Sequence, residues 1–250
     1  MKFIKNQPAL FLDDEKIIVI ADLHIGIEHK LHKSGINIPT QIEKMKGQIE
    51  KLVKKTKAKT LVILGDIKHE VPGISKQELR EIPEFLSTLS KKIEIEICLG
   101  NHDTFLKDIS PENIKIHGTE GFKINKYGFN HGHTWPTEEL VGCDLIVISH
   151  IHPAVQFVDE LGYKIVEPVW IKGRIDKGKM QTKYKTKNVG KLGVIIIPPF
   201  NGLLGGKPIN KRLKDEELMG PLLKNNFIDL NESELYLLDG TYLGKLKELE

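Results

Sequence analysis

Apolar residues in the first hundred positions come in short continuous runs separated by amphipathic stretches. Ile17-Ile18-Val19-Ile20 and Thr60-Leu61-Val62-Ile63-Leu64 are continuous runs of strand length, the pattern of strands covered on both faces, and Ile93 to Leu99 reads as a third strand that mixes Glu94 and Glu96 with apolar residues. Between the first two, Ile42, Met45, Ile49, Leu52 and Val53 recur at helical spacing. Thr40 and Glu43 have capping-box spacing, and so do Ser75 and Glu78 ahead of a second helix, which Pro83 is expected to kink or split. Ala9 to Leu12 and the turn Asp13-Asp14-Glu15 predict a hairpin partner for the Ile17 strand. The order βαβαβ argues for an α/β fold with parallel strands.

Beyond this point the texture changes. Phe122 to Ile124, Tyr127 to Asn130, Leu145 to Ser149, Ala154 to Val158, Tyr163 to Ile171 and Leu192 to Ile197 read as strands with short connections. Leu235 to Leu238 and Tyr242 to Lys245 form a hairpin around Asp239-Gly240. Lys172 to Lys191 contains eight basic residues and one acid, Asp176, loosened by Gly173, Gly178 and Gly190; it reads as a long exposed loop. No repeat or composition shift marks a boundary, so residues 1–250 are expected to form one domain, with a motif-bearing core from about 15 to 155 and a β-rich remainder.

Composition narrows the class only a little. Hydrophobic residues make up 40%, enough for a sizeable core, and the net charge of +3 is compatible with a polyanionic partner without demanding one. Cys98 and Cys143 lie in apolar runs and form no disulfide framework, which makes a reducing, cytoplasmic setting the expectation. No signal peptide and no membrane span is expected, since apolar stretches are too short.

The candidate chemistry sits directly after the strand-like runs. Asp22-Leu23-His24 follows the first, Gly65-Asp66 the second, Gly100-Asn101-His102-Asp103 the third. His131-Gly132-His133 and His150-Ile151-His152 follow two of the later strands. Residues two apart in extended chain point the same way, so each D-x-H or H-x-H pair can face one ion. His102 can donate a proton and Asp103 can orient it. Six of the ten histidines fall in these motifs; His29, His32 and His117 read as surface residues, and His69 and Glu70 as a solvated loop. Ligand sites of open α/β sheets form outside the carboxyl ends of strands, where all five motifs are placed. A mixed oxygen and nitrogen donor set suits Mn²⁺, Fe or Zn²⁺ better than Ca²⁺.

At these residues the sequence resembles the calcineurin-like metallophosphoesterase superfamily, whose ordered signature is D-x-H, G-D, G-N-H-D/E, H and G-H-x-H. The match runs from about residue 20 to 153, with Ser149 where the family usually has glycine. Gly65-Asp66-Ile67-Lys68-His69, His131-Gly132-His133 and Pro199-Phe200-Asn201 look like the smaller archaeal and bacterial branch of SbcD-related phosphoesterases. The resemblance implies a two-sheet sandwich flanked by helices, a four-layer α+β fold. It implies two divalent cations, manganese first, with iron, zinc, nickel or magnesium as alternatives. Asp22, His24 and His152 would hold one metal; Asn101, His131 and His150 the other; Asp66 would bridge. His102 would be the catalytic acid, oriented by Asp103, and His133 would touch substrate phosphate or line the pocket.

The expected function is a dinuclear-metal phosphodiesterase in which a metal-bridging hydroxide attacks phosphorus. Lys183, Lys185 and Lys187 of the basic stretch are candidate substrate contacts that could track a nucleic-acid backbone. A nuclease, a small-nucleotide phosphodiesterase and a phosphomonoesterase stay open as versions of this activity. A protein-binding scaffold on the same fold is the alternative of another class.

Overall fold

The computed structural model describes residues 1–211 and 220–249. The first sheet contains β1 (Lys2–Phe3), β2 (Leu10–Leu12), β3 (Ile17–Ile20), β4 (Thr60–Leu64), β5 (Glu94–Cys98) and β6 (Lys115–His117) in chain order. Neighbours from β3 to β6 are parallel, joined by α1 (Ile27–Lys33), α2 (Ile42–Thr56), α3 (Lys76–Ser90) and α4 (Leu106–Ile109). The second sheet is built from β7 (Phe122–Ile124), β8 (Tyr127–Phe129), β9 (Leu145–Ile148), β10 (Pro153–Val158) and β11 (Lys164–Arg174). After α5 (Lys177–Tyr184) come β12 (Gly193–Ile196), β13 (Lys207–Pro208), α6 (Pro221–Lys224), β14 (Glu234–Leu237) and β15 (Tyr242–Lys245). Its order is β13-β10-β11-β12-β9-β8-β7, with β14 on β11 and β15 on β14.

Alternation along each strand makes the layers. Ile18 and Ile20 pack with Met45, Ile49, Phe85 and Leu89 of α2 and α3, while Ile17 and Val19 face Phe129, Val147 and Trp170 of the second sheet. Ile146 and Ile148 turn outwards to Met180 of α5 and to Leu222 and Leu223 of α6. The result is helices, sheet, sheet, helices: the expected sandwich. No helix among the described residues is long and apolar enough to cross a membrane.

The structure corrects three expectations. The segment 172–191 is not one long loop: β11 continues to Arg174 against β12, and α5 follows. Asp176 caps that helix through Lys179 N (3.0 Å), and Met180 is fully buried. The charge count hid a cap and a single apolar anchor. Pro83 does not split α3, which runs over fifteen residues. The carbonyl it deprives belongs to Leu79, a residue that is 47% exposed. Thr40 forms no capping box; its hydroxyl donates to Glu81, and Gln41 is the cap residue. Ser75 and Glu78 do form theirs.

Candidate metal centre

All five motifs lie at carboxyl ends of strands: β3, β4, β5, β8 and β9. The first two loops continue the parallel pairing beyond the sheet, with Asp22 N on Gly65 O (3.1 Å) and His24 N on Asp66 O (2.8 Å). From the loop after β12, Asn201 is buried and donates its Nδ2 to Leu23 O (2.8 Å), while Phe200 N donates to Ala21 O (2.8 Å). Pro199-Phe200-Asn201 therefore clamps the Asp22 loop. Asp22, His24, Asp66, His150 and His152 all adopt left-handed backbone, with φ of 55°, 40°, 51°, 75° and 45°. Glycine is required beside Asp66: a Cβ on Gly100 would lie 2.1 Å from Asp66 Oδ1, and one on Gly65 would lie 2.6 Å from His131 Nδ1.

These turns bring the side chains together in two clusters. Donor atoms of Asp22, His24 and His152 lie within 4.8 Å of one another, and so do those of Asp66, His131 and His150. His152 Nε2 is 3.5 Å from Asp22 Oδ1. Asp66 Oδ2 is 3.4 Å from His24 Nε2 and 3.4 Å from His131 Nε2. Asn101 Oδ1 lies 3.3 Å from His131 Nε2, and His150 Nδ1 lies 3.2 Å from the same nitrogen. Ser149, the departure from the family pattern, donates its hydroxyl to Leu64 O (3.0 Å) and sits 3.1 Å from His131 Nδ1. His131 Nδ1 also reaches Leu64 O at 2.7 Å.

Burial sets the charge states. It holds the His24 ring down at about 2, against the pull of Asp66, and His150 at about 3, where His131 adds to the effect. His131 moves the other way: burial opposes its charge, but Asp66 and Asp22 raise it to about 9. Burial would raise Asp66, yet His131 and His24 keep it below the ordinary carboxylate range. Asp103, fully enclosed, is pushed up to about 6, with Asp66 adding to burial.

The donor set fits divalent cations. Both carboxylate oxygens of Asp22, with Nε2 of His24 and of His152, are buried without a hydrogen-bond partner. Such groups cost roughly 1–3 kcal/mol each when left bare, a cost that a coordinated cation offsets. Neutral imidazoles such as His24 and His150 present lone pairs to an ion directly; His131 gives up a proton to do so.

His102 shares a cavity of about 330 Å³ with His24, Asp66, Asn101, His150 and His152. Its Nδ1 lies 2.7 Å from the carbonyl of His69, so a backbone oxygen orients the ring. Asp103 does not contact the ring as expected. Its carboxylate accepts from Gly100 N and Ile67 N (2.8 Å each) and Lys68 N (3.3 Å), tying the second and third motif loops together.

His69 is not in a solvated loop either: its Nδ1 is 3.1 Å from His24 Nδ1, and it groups with His24 and His102. The loop that carries it is fixed by Glu78, which accepts from His69 N and Glu70 N at 2.8 Å, and by buried Lys68, whose ammonium bonds Glu70 O and Gly73 O. Its position three residues after Asp66 was the available signal.

His133 stands beside His131 and His150, with ring centroids at 5.1 and 5.8 Å, and does not line the cavity. Lys183 lies 3.5 Å over the Trp135 ring; Lys185 and Lys187 are exposed, and none of the three lines the cavity. His117 stacks on Phe122 at 3.7 Å and bonds Glu96, away from the centre. A larger cavity, about 750 Å³, opens between Arg174 and Leu246 but contains none of the histidine clusters, so donor chemistry rather than size locates the site.

Residues 15–176 match the sequence profile of the calcineurin-like phosphoesterases. Comparison with curated proteins finds no match. Among solved structures, the Pseudomonas putida nuclease MPE is similar at a TM-score of 0.55 and 16% identity, over 95% of this chain and 91% of that chain, a likeness of fold. The E. coli phosphoesterase Yfce overlaps 58% of this chain and 74% of its own, at a TM-score of 0.37 and 18% identity.

Proposed function

The chain belongs to the calcineurin-like phosphoesterase family and is a hydrolase of phosphoric esters; within that activity we propose a phosphodiesterase working at a two-cation centre. One observation carries the reading: Asp66 Oδ2 is equidistant, at 3.4 Å, from a ring nitrogen of each histidine cluster. A carboxylate oxygen so placed suits a ligand shared between two ions. Asp22, His24 and His152 would hold one cation, and Asn101, His131 and His150 the other. When bound, the pair supplies charge neutralisation at the phosphoryl oxygens and water activated near neutral pH.

The remaining roles belong to side chains and backbone. His102 directs Nδ1–H to the His69 carbonyl, which leaves Nε2 to hold a proton and deliver it to the departing alkoxide oxygen. The His102 amide donates to Asp66 Oδ1 (2.9 Å), which ties the backbone of the acid to the shared carboxylate. Asp103 fixes the loops beneath both. A manganese-dependent hydrolysis of bis-p-nitrophenyl phosphate tests the reading. Turnover that needs a divalent ion and disappears in Asp66→Asn supports it. Absence of turnover with every divalent metal tried sinks it and leaves the scaffold alternative.

A further inference from the structure

We infer that two copies of this chain associate through the free edge of β11. Among the described residues, six of the twelve exposed large apolar side chains fall within one ten-residue stretch: Phe157, Val158, Leu161, Tyr163, Ile165 and Val166. They belong to the arm formed by β10, β11 and the turn between them. Leu161 near its tip is 95% exposed and Tyr163 is 67% exposed. At roughly 150–200 Å² per large side chain in full exposure, the six present on the order of 600 Å², as much as the largest patch expected of a monomer. A stable dimer buries about 800 Å² on each partner, a scale the arm approaches once its edge backbone is included.

The two edges of the arm differ. Gln156 donates its N–H to Asn210 Oδ1 (2.9 Å) and its carbonyl accepts from Asn210 Nδ2 (3.0 Å), so a side-chain carboxamide closes the β10 edge. Gln156 stands opposite Val166. In an antiparallel ladder, two residues directly opposite either exchange both bonds with each other or both turn their backbone groups away. Those of Gln156 point away from β11, so those of Val166 point away from β10, and so do those of Lys164 two residues earlier. No strand among the described residues meets them: β14 pairs from Val169 and β12 from Ile171. Pro168, which has no N–H, ends this edge.

A second copy suits the edge because the strand is its own complement. Antiparallel pairing about a two-fold axis at Ile165 sets Lys164 opposite the partner's Val166, twice, and each such pair exchanges two N–H···O bonds. Ile165 then meets the partner's Ile165. Phe157 stands opposite Ile165 on β10, so four apolar side chains form one row across four strands. An axis at Lys164 would face two ammonium groups, and an axis at Val166 would set Lys164 against Pro168, which cannot donate. Charge and bonding therefore select Ile165. A membrane surface would accept the apolar side chains but leave the outward backbone groups unpaired.

Sedimentation equilibrium of the full chain at micromolar concentrations tests this, alongside Val166→Pro, Ile165→Cys and Val158→Cys. The unaltered chain is expected to show a reversible monomer–dimer equilibrium. Val166→Pro deletes an outward N–H without removing a bond to β10, and the dissociation constant should rise tenfold or more. Two-fold pairing brings the Ile165 Cα atoms about 4.5 Å apart, within disulfide reach, so mild oxidation should crosslink Ile165→Cys. Val158→Cys, equally exposed but on the outer strand of each arm, should stay uncrosslinked. Cys98 and Cys143 are buried and take no part. The crosslink keeps the test open if Val166→Pro fails to fold. A chain that is monomeric at every concentration overturns the proposal. So does a dimer unmoved by Val166→Pro, or one in which Val158→Cys crosslinks as readily as Ile165→Cys.

Discussion

Asp22, His24 and His152 bring four buried atoms to the centre that accept no hydrogen bond from the protein, whereas His131 is bonded on almost every side. The His131 ring is held by Leu64 O and Ser149 at one nitrogen and flanked by Asn101, Asp66 and His150 at the other. The two clusters use the same residue types, all of them at carboxyl ends of strands, and share the end of β9. They differ in what supports them: the second is braced by backbone and hydroxyl, while the first is complete only when a cation meets its lone pairs. Donor identity alone does not say how a site is held.

Four experiments would break or sharpen that contrast. Asp66→Asn removes the oxygen common to both clusters, and activity is expected to fall roughly 10³-fold or more, with metal content dropping at both positions. If one cluster kept full metal content, the shared-ligand reading would be lost. His102→Ala should lower turnover of a diester with an alkoxide leaving group by roughly 10²–10⁴-fold while both ions stay bound, because the ring serves proton transfer rather than either cluster. Metal analysis beside kinetics separates the two effects.

Stripping both metals with a chelator should lower stability by about 5 kcal/mol relative to protein with each metal at a hundredfold excess over its Kd, a Tm shift of roughly 10–20 °C by calorimetry. Asp22→Asn should narrow that gap, since it changes the cluster that the protein leaves bare. An undiminished shift would place the sensitivity in the His131 cluster instead. The smallest effect is expected from Ser149→Gly, which restores the usual family residue and removes one brace of His131. Metal affinity of that cluster should weaken by roughly 10-fold, with little change in Tm.

Much of this was legible in the sequence because strands and ligands leave strong marks. The run Ile17 to Ile20 is apolar at every position because both faces are covered, and the motif behind it then has to sit at the strand end. What escaped has a common cause: contacts made by main chain carry no residue signature. The carbonyl that orients His102 belongs to His69, and nothing in the letters says that a carbonyl will do what Asp103 was expected to do. Asp103 instead ties down three amides, one in its own loop and two in the distant loop after β4. The helix α5 escaped for another reason: a single buried methionine is too little apolar signal against eight basic neighbours. Short β6 and α4 likewise fell below the length at which periodicity is readable.

The left-handed turns at Asp22, His24, Asp66, His150 and His152 have a consequence for how this sequence can drift. At each position a side-chain-bearing residue costs roughly 1–2 kcal/mol that glycine would not. A lineage or a laboratory library selected for thermal stability alone is therefore pushed towards glycine and asparagine at these five positions, and the metal centre is the first thing it erases. The presence of aspartate and histidine there answers a demand from outside the folding problem.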